Sequence, residues 1–263
     1  MITWVLIIAF AMLNIGAAMA EQKYTEAELK LGDELTQKAL ITTQKGDFNQ
    51  AEIYWTELID HFPENPALWS NRGNVRISQN KLVEAIADYD QSIKLYPSFP
   101  DAYLNRGIAF EGLKKWENAI NDYNRVLELN PEDAGAYNNR GNAKAGMGDY
   151  GSAIGDYQKA MELDRNFVFA QDNYALSLYQ VGEKTKAIKI IQGMVRKYPK
   201  FADIRAALTV ILWSEGKQGE AESNWVSVMG LDQRYKDVNW VKNMRRWPPI
   251  MVDNLQNFLS LIK

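Results

Sequence analysis

YLNRGIAFEGLKKWENAINDYNRVLELNP, residues 103–131, is the stretch on which the fold turns. Its Gly107, Ala119, Tyr123 and Pro131 have counterparts up and down the chain at a constant step of 34 residues. Alanine stands at Ala51, Ala85, Ala119, Ala153, Ala187 and Ala221, and a large side chain at Trp55, Tyr89, Tyr123, Tyr157, Ile191 and Trp225. Small residues hold Ala39, Gly73, Gly107, Gly141 and Ala175, with Thr209 the exception. Proline closes most units, at Pro63, Pro97, Pro131 and Pro199, and Arg165 takes its place once. A fixed period of this length marks stacked copies of one supersecondary unit. The series divides without insertion into six units, 32–65, 66–99, 100–133, 134–167, 168–201 and 202–235.

The chemistry of one unit explains the step. In the third, the apolar spacing predicts a helix from Ala102 to Leu113 and another from Glu117 to Leu129. Gly107 and Ala119 let the two approach, while Tyr103, Phe110 and Tyr123 fill the space that remains. Asn130-Pro131 ends the second helix, because proline disfavours helical geometry in the residue before it. A single hairpin cannot bury its own apolar stripe, so stacked neighbours complete the core.

Residues 69–97 (WSNRGNVRISQNKLVEAIADYDQSIKLYP), 103–131 and 137–164 (YNNRGNAKAGMGDYGSAIGDYQKAMELD) resemble the tetratricopeptide repeat (TPR) family. Each carries the family's aromatic, glycine, alanine and aromatic marks in order. The likeness is looser at both ends, and the sixth unit departs most, with Arg205, Thr209 and Gln233 at marked positions. The resemblance implies an all-α, right-handed TPR solenoid of six helix-turn-helix repeats with a C-terminal capping helix. It also implies a non-catalytic scaffold that binds protein partners.

Composition sets limits. With 46% hydrophobic and 24% charged residues, the chain can bury a sizeable core and stay soluble. A net charge of −3 gives no basic footprint for nucleic acid. The absence of cysteine excludes disulfides, thiol nucleophiles and thiolate metal sites together. His61 is the only histidine, no glycine-rich phosphate loop occurs, and the acidic residues do not converge on a pair. Neither catalysis, nor a metal, nor a cofactor is expected.

Residues 2–19, ITWVLIIAFAMLNIGAAM, carry no charge, and Ala18-Met19-Ala20 offers the small-x-small pattern that signal peptidase accepts. Residues 1–20 read as a cleaved export signal or as an uncleaved membrane anchor. Both deliver the repeats to or beyond a membrane. No Asn-x-Ser/Thr sequon occurs, which together with the missing cysteines points to a bacterial periplasm or an organelle lumen.

In the TPR family the first helix of each repeat lines a partner-binding groove, which places positions 2, 5, 9 and 12 of each unit on its wall. The early wall is polar, with Thr36, Thr43, Ser70 and Asn74, then Asn138 and Asn142. Position 6 adds Asn71, Asn105 and Asn139 at strict repeat spacing. A row of amides can satisfy the backbone of an extended peptide, or can be satisfied by neighbouring helices. The later wall is apolar, through Phe169, Leu176, Tyr179, Val210 and Trp213, and forms either a docking patch or a seat for the C-terminal tail. The carboxylate clamp of heat-shock co-chaperones is not expected. The best frame gives Ser70 and Asn74, Asn105, then Gly135 and Asn139, with both lysines and the arginine missing. Arg72, Arg106 and Arg140 each precede an aspartate by 16 residues (Asp88, Asp122, Asp156), which predicts three ion pairs rather than an anion-binding ladder.

At the ends, Thr25-Glu26-Ala27-Glu28 has capping-box form and starts an extension, 21–31, of the first helix. Beyond the array, in residues 236–263, Pro249 opens a helix with Met251, Leu255, Phe258 and Ile262 on one face. That helix reads as a cap, or as a docking helix with Arg245-Arg246-Trp247 as its anchor at an acidic interface. RRWPP after TPR units, with an apolar leader, resembles thylakoid-associated TPR proteins of cyanobacteria and plastids. This implies an assembly or stability factor for a photosynthetic membrane complex, at the thylakoid membrane or lumen. A periplasmic adaptor in envelope biogenesis, or an accessory subunit of an enzyme complex, is the other reading.

Overall fold

The computed structural model describes residues 24–261. The export signal or anchor expected at 1–20 lies outside these residues, as does Ile262. All regular elements among the described residues are helical. The chain forms two compact units, Met1–Pro131 and Glu132–Lys263. The first holds three helical hairpins: α1 (Glu26–Gln44) with α2 (Phe48–His61), α3 (Pro66–Ser78) with α4 (Leu82–Leu95), and α5 (Pro100–Gly112) with α6 (Trp116–Leu129). The second holds three more: α7 (Ala134–Gly146) with α8 (Tyr150–Leu163), α9 (Val168–Gln180) with α10 (Lys184–Lys197), and α11 (Ala202–Ser214) with α12 (Gln218–Leu231). A 3-10 turn at Gln233–Lys236 and a π-helical stretch at Val241–Arg245 lead to α13 (Pro249–Leu261). The architecture is an all-α TPR solenoid of six helix-turn-helix repeats with a C-terminal capping helix.

Local chemistry sets the helix boundaries. Thr25 Oγ1 accepts the Glu28 N–H at 3.2 Å and Glu28 Oε2 accepts the Thr25 N–H at 2.7 Å, so the capping box opens α1. Pro66 and Pro100 start α3 and α5, where a missing N–H costs nothing. Each hairpin turns through one left-handed residue, Gly46, Asn80 and Lys114 in the first unit and Gly148, Gly182 and Gly216 in the second. Lys114 is the strained member, since only glycine adopts such a φ freely.

The repeated glycine and tyrosine form one packing device. A Cβ on Gly107 would sit 2.6 Å from the Tyr123 ring, and one on Gly141 would sit 2.6 Å from the Tyr157 ring. Tyr123 is fully buried, and its hydroxyl donates to Glu111 at 2.5 Å, so the ring has no room to retreat. Gly107→Ala is therefore expected to destabilise the Met1–Pro131 unit by about 1–3 kcal/mol through overpacking. Chemical unfolding of the variant against wild type measures this, and an unchanged midpoint would contradict it.

Arginine and aspartate pair across each central hairpin. Arg106 Nη2 and Nε donate to Asp122 at 2.6 and 2.9 Å, and Nη1 reaches Asp90 at 2.6 Å. Arg72 binds Asp88 at 2.7 Å, and Arg140 binds Asp156 at 2.6 Å. The planar guanidinium matches a carboxylate in two places, which suits a buried aspartate facing a partly buried arginine. These arginines hold helices together and are not available as an anion ladder.

Candidate protein-binding face

The first helix of each hairpin presents the candidate face in each of the two units. In Met1–Pro131 it is polar. Ser70 is buried at 2% exposure, and Asn74 Oδ1 accepts the Tyr89 hydroxyl at 2.7 Å. Asn71 and Asn105, one repeat apart on α3 and α5, are half-buried and make no side-chain hydrogen bond to another described residue. Each therefore keeps two N–H donors and a carbonyl acceptor for an external group.

In Glu132–Lys263 the amides are knitted to one another instead. Asn173 Nδ2 donates to Asn142 Oδ1 at 2.9 Å and to Asn138 Oδ1 at 3.2 Å. Tyr157 donates to Asn142 at 3.0 Å, and Asn138 Nδ2 reaches Asn139 Oδ1 at 3.3 Å. Asn138, Asn139 and Asn142 thus have the internal partners that the sequence left as an alternative to peptide contact.

The apolar stretch from Phe169 to Trp213 is not open surface. Leu176 and Tyr179 are 3% exposed, and Tyr179 Oη lies 3.1 Å from Ser214 Oγ. Trp213 meets Phe258 edge-on at 5.3 Å, while Phe169 packs against Phe201 at 5.3 Å. The cover is the chain's own tail. α13 lies on α9 and α11, with Met251, Leu255 and Phe258 wholly buried and the Ile250 N–H donating to Gln180 Oε1 at 3.1 Å. An apolar stripe on the tail and an apolar strip on the repeats remove each other from water, which outweighs leaving both exposed. The expected docking patch at Phe169, Leu176, Tyr179 and Trp213 is a self-occupied seat.

RRWPP fixes that tail in place. Asp203 Oδ1, buried on α11, accepts the Trp247 indole N–H at 2.8 Å and the Tyr235 hydroxyl at 2.6 Å. Asp203 Oδ2 contacts the Arg245 guanidinium. Asp172 on α9 lies 3.9 Å from the same guanidinium and is completely buried with no hydrogen bond to either oxygen. Burial pushes its carboxyl up to about 7, with Arg245 opposing the shift. Burial also pulls Arg245 below its ordinary value, offset in part by Asp172, yet the side chain stays charged because that value starts so high. Arg245 and Trp247 thus face inward, which corrects the reading of RRW as an anchor at an acidic interface. Of the three, Arg246 alone is exposed, at a left-handed φ of 55°.

Sequence reading passed over Asp172 and Asp203. Both stand at groove-wall positions of their repeats, and each is the one acid in a largely apolar run, FVFAQDNYALSLY and FADIRAALTVILW. A charge that interrupts such a run demands a partner, and that was the available signal. His61 is exposed at the end of α2, and no group of three His, Cys, Asp or Glu among the described residues is placed to hold a metal ion.

Comparison with known proteins matches this geometry. The TPR repeat model matches residues 73–114, and the tetratricopeptide repeat model matches 100–133 and 134–167. No curated protein matches the chain significantly. Among solved structures, a tetratricopeptide repeat protein from Parabacteroides merdae is similar, at 21% identity and a TM-score of 0.68, over 87% of this chain and 98% of that one. PilF of Pseudomonas aeruginosa is similar at 16% identity and a TM-score of 0.65, over 88% and 99% of the two chains. YrrB, a TPR protein with an unusual peptide-binding site, is similar at 18% identity and a TM-score of 0.54, over 77% and 97%. Repeat period, hairpin geometry and family match agree that the chain carries tetratricopeptide repeats, matched over residues 73–167.

Proposed function

We propose that this protein is a non-catalytic scaffold that holds protein partners on the first-helix face of its repeats. TPR proteins generally serve protein interaction, and YrrB has a peptide-binding site on the same kind of fold. The observation that carries the reading here is the pair of half-exposed amides, Asn71 and Asn105, with no partner of their own among the described residues. Set one repeat apart, they can bind successive peptide groups of an extended segment. The finer version is an assembly or stability factor for a thylakoid membrane complex. It is supported by the likeness of Arg245–Pro249 and the apolar leader to that group of TPR proteins.

The test is affinity purification of the tagged protein from solubilised membranes of its host, followed by mass spectrometry. Asn71→Ala with Asn105→Ala is expected to cut partner recovery about tenfold, the equivalent of ~1.4 kcal/mol. Undiminished recovery would move the binding surface elsewhere. Recovery of subunits of a photosynthetic complex supports the finer version, and recovery of envelope proteins replaces it.

A further inference from the structure

The tail on α9 and α11 behaves as a ligand rather than as the end of a core. We propose that this face, centred on Asp172 and Asp203, is a binding site for a protein segment that presents a guanidinium and an indole two residues apart ahead of an apolar helix. Residues 245–258 fill it within this chain, and a partner segment of the same chemistry displaces them. The inference rests on the scaffold reading and deepens it by naming a second site and its ligand.

Three observations carry it. First, the site is polar at one end and apolar at the other, as segment recognition requires. Asp203 accepts from Tyr235 and Trp247 and contacts Arg245, and all three come from beyond α12. Farther along, Phe258 seats between Trp213 and Trp225 at 5.3 and 5.2 Å. Second, the slot is shaped for arginine. The guanidinium of Arg245 stands 5.7 Å from the centre of the Phe169 ring, with a carboxylate on each neighbouring helix. A planar cation can stack and ion-pair at once, which a lysine ammonium cannot do as well.

Third, the resident segment fits incompletely. Both oxygens of Asp172 and the Nε of Arg245 are buried without a hydrogen bond. The tether explains the misfit, since residues 232–244 reach the site through a 3-10 turn and a π-helical stretch, and Arg246 must turn through a left-handed φ of 55°. A segment from another protein carries no such tether, so it can place a second N–H on Asp172 and satisfy what the resident leaves unmade. Until then the resident holds the site through its high effective concentration.

The test uses full-length protein and a fluorescein-labelled synthetic peptide of residues 244–263. Arg245→Ala with Trp247→Ala loosens the resident tail and leaves both aspartates in place. The peptide is expected to bind this variant at least about tenfold more tightly than wild type. Adding Asp203→Asn to the variant, or Arg245→Ala to the peptide, is expected to cancel that gain. Equal binding to wild type and variant, or binding indifferent to Asp203, overturns the proposal.

Should the variant fail to fold, a protease site inserted between exposed Lys236 and Asp237 allows the wild-type tail to be cut. The severed tail should stay bound through size-exclusion chromatography and exchange with excess labelled peptide. A tail that never exchanges, or one lost at once, overturns the proposal. If partners are recovered through Asn71 and Asn105 while the peptide fails here, only this site falls. Peptide binding without any recovered partner removes the scaffold reading of the amide face instead.

Discussion

Asp203→Ala is expected to lower the stability of the Glu132–Lys263 unit by about 3–5 kcal/mol, because it strands a buried guanidinium and two buried donors together. Arg245 loses its contacting carboxylate, and the Trp247 indole and Tyr235 hydroxyl lose the oxygen they share. Trp247 and Tyr235 are 4% and 2% exposed, so water cannot readily replace the acceptor. The melting temperature of the unit should fall by about 10 °C or more. Asp203→Asn keeps an oxygen for the two neutral donors, so its loss should be smaller. Thermal unfolding followed by circular dichroism measures both variants. A shift no larger than that of an exposed lysine change would mean that Asp203 does not hold the tail.

The second large effect is a dependence on pH in an unusual direction. Most shifted carboxylates of the chain, such as Glu28, Asp149 and Asp232, are lowered by hydrogen bonds to Thr25, Ser152 and Arg234, so their contribution is lost only as acid protonates them. Asp172 runs the other way. Its folded-state value of about 7 lies above the value of about 3.9 in an unfolded chain. The folded state therefore binds the extra proton, and stability falls as pH rises between about 4 and 7, then levels off. The full effect is at most about 4 kcal/mol.

The groups facing Asp172 do not blur the window. Arg245 remains charged, and burial holds the Tyr235 hydroxyl far above its ordinary value and hence neutral. Urea unfolding at pH 5 and pH 8, with Asp172→Asn as reference, isolates the term because every other group cancels. Wild type should lose stability relative to Asp172→Asn as the pH is raised. A constant difference between the two proteins would mean that Asp172 titrates in its ordinary range.

The repeat architecture was legible because its determinants are local and repeated. Gly107 beside Tyr123 acts within one hairpin, so a 34-residue step exposes it, and the capping box at Thr25 is a contiguous four-residue pattern. The Arg–Asp pairs were legible for the same reason, since the spacing of 16 residues recurs three times. The binding face was read only in part. Asn74, Asn138 and Asn142 share the first-helix wall with Asn71 and Asn105 in the sequence, yet their partners Tyr89, Asn173 and Tyr157 lie on other helices. No local pattern reports that difference.

The tail was harder still. Its apolar stripe was plain in Met251, Leu255 and Phe258, but its seat depends on two aspartates, Asp172 on α9 and Asp203 on α11, whose partners Tyr235, Arg245 and Trp247 lie beyond the last repeat helix. RRWPP drew notice as a family mark. Its physical role as the clasp on Asp203 emerged only when residues 44 apart were brought into contact.

The scaffold account predicts where a partner touches the protein. A photo-crosslinking amino acid placed at Asn105, on the first-helix face, should yield a covalent adduct with another protein in host membranes. The same group at Glu128, exposed on the second helix of that hairpin, should yield none. Adducts from position 128 with none from position 105 would contradict the account at its centre.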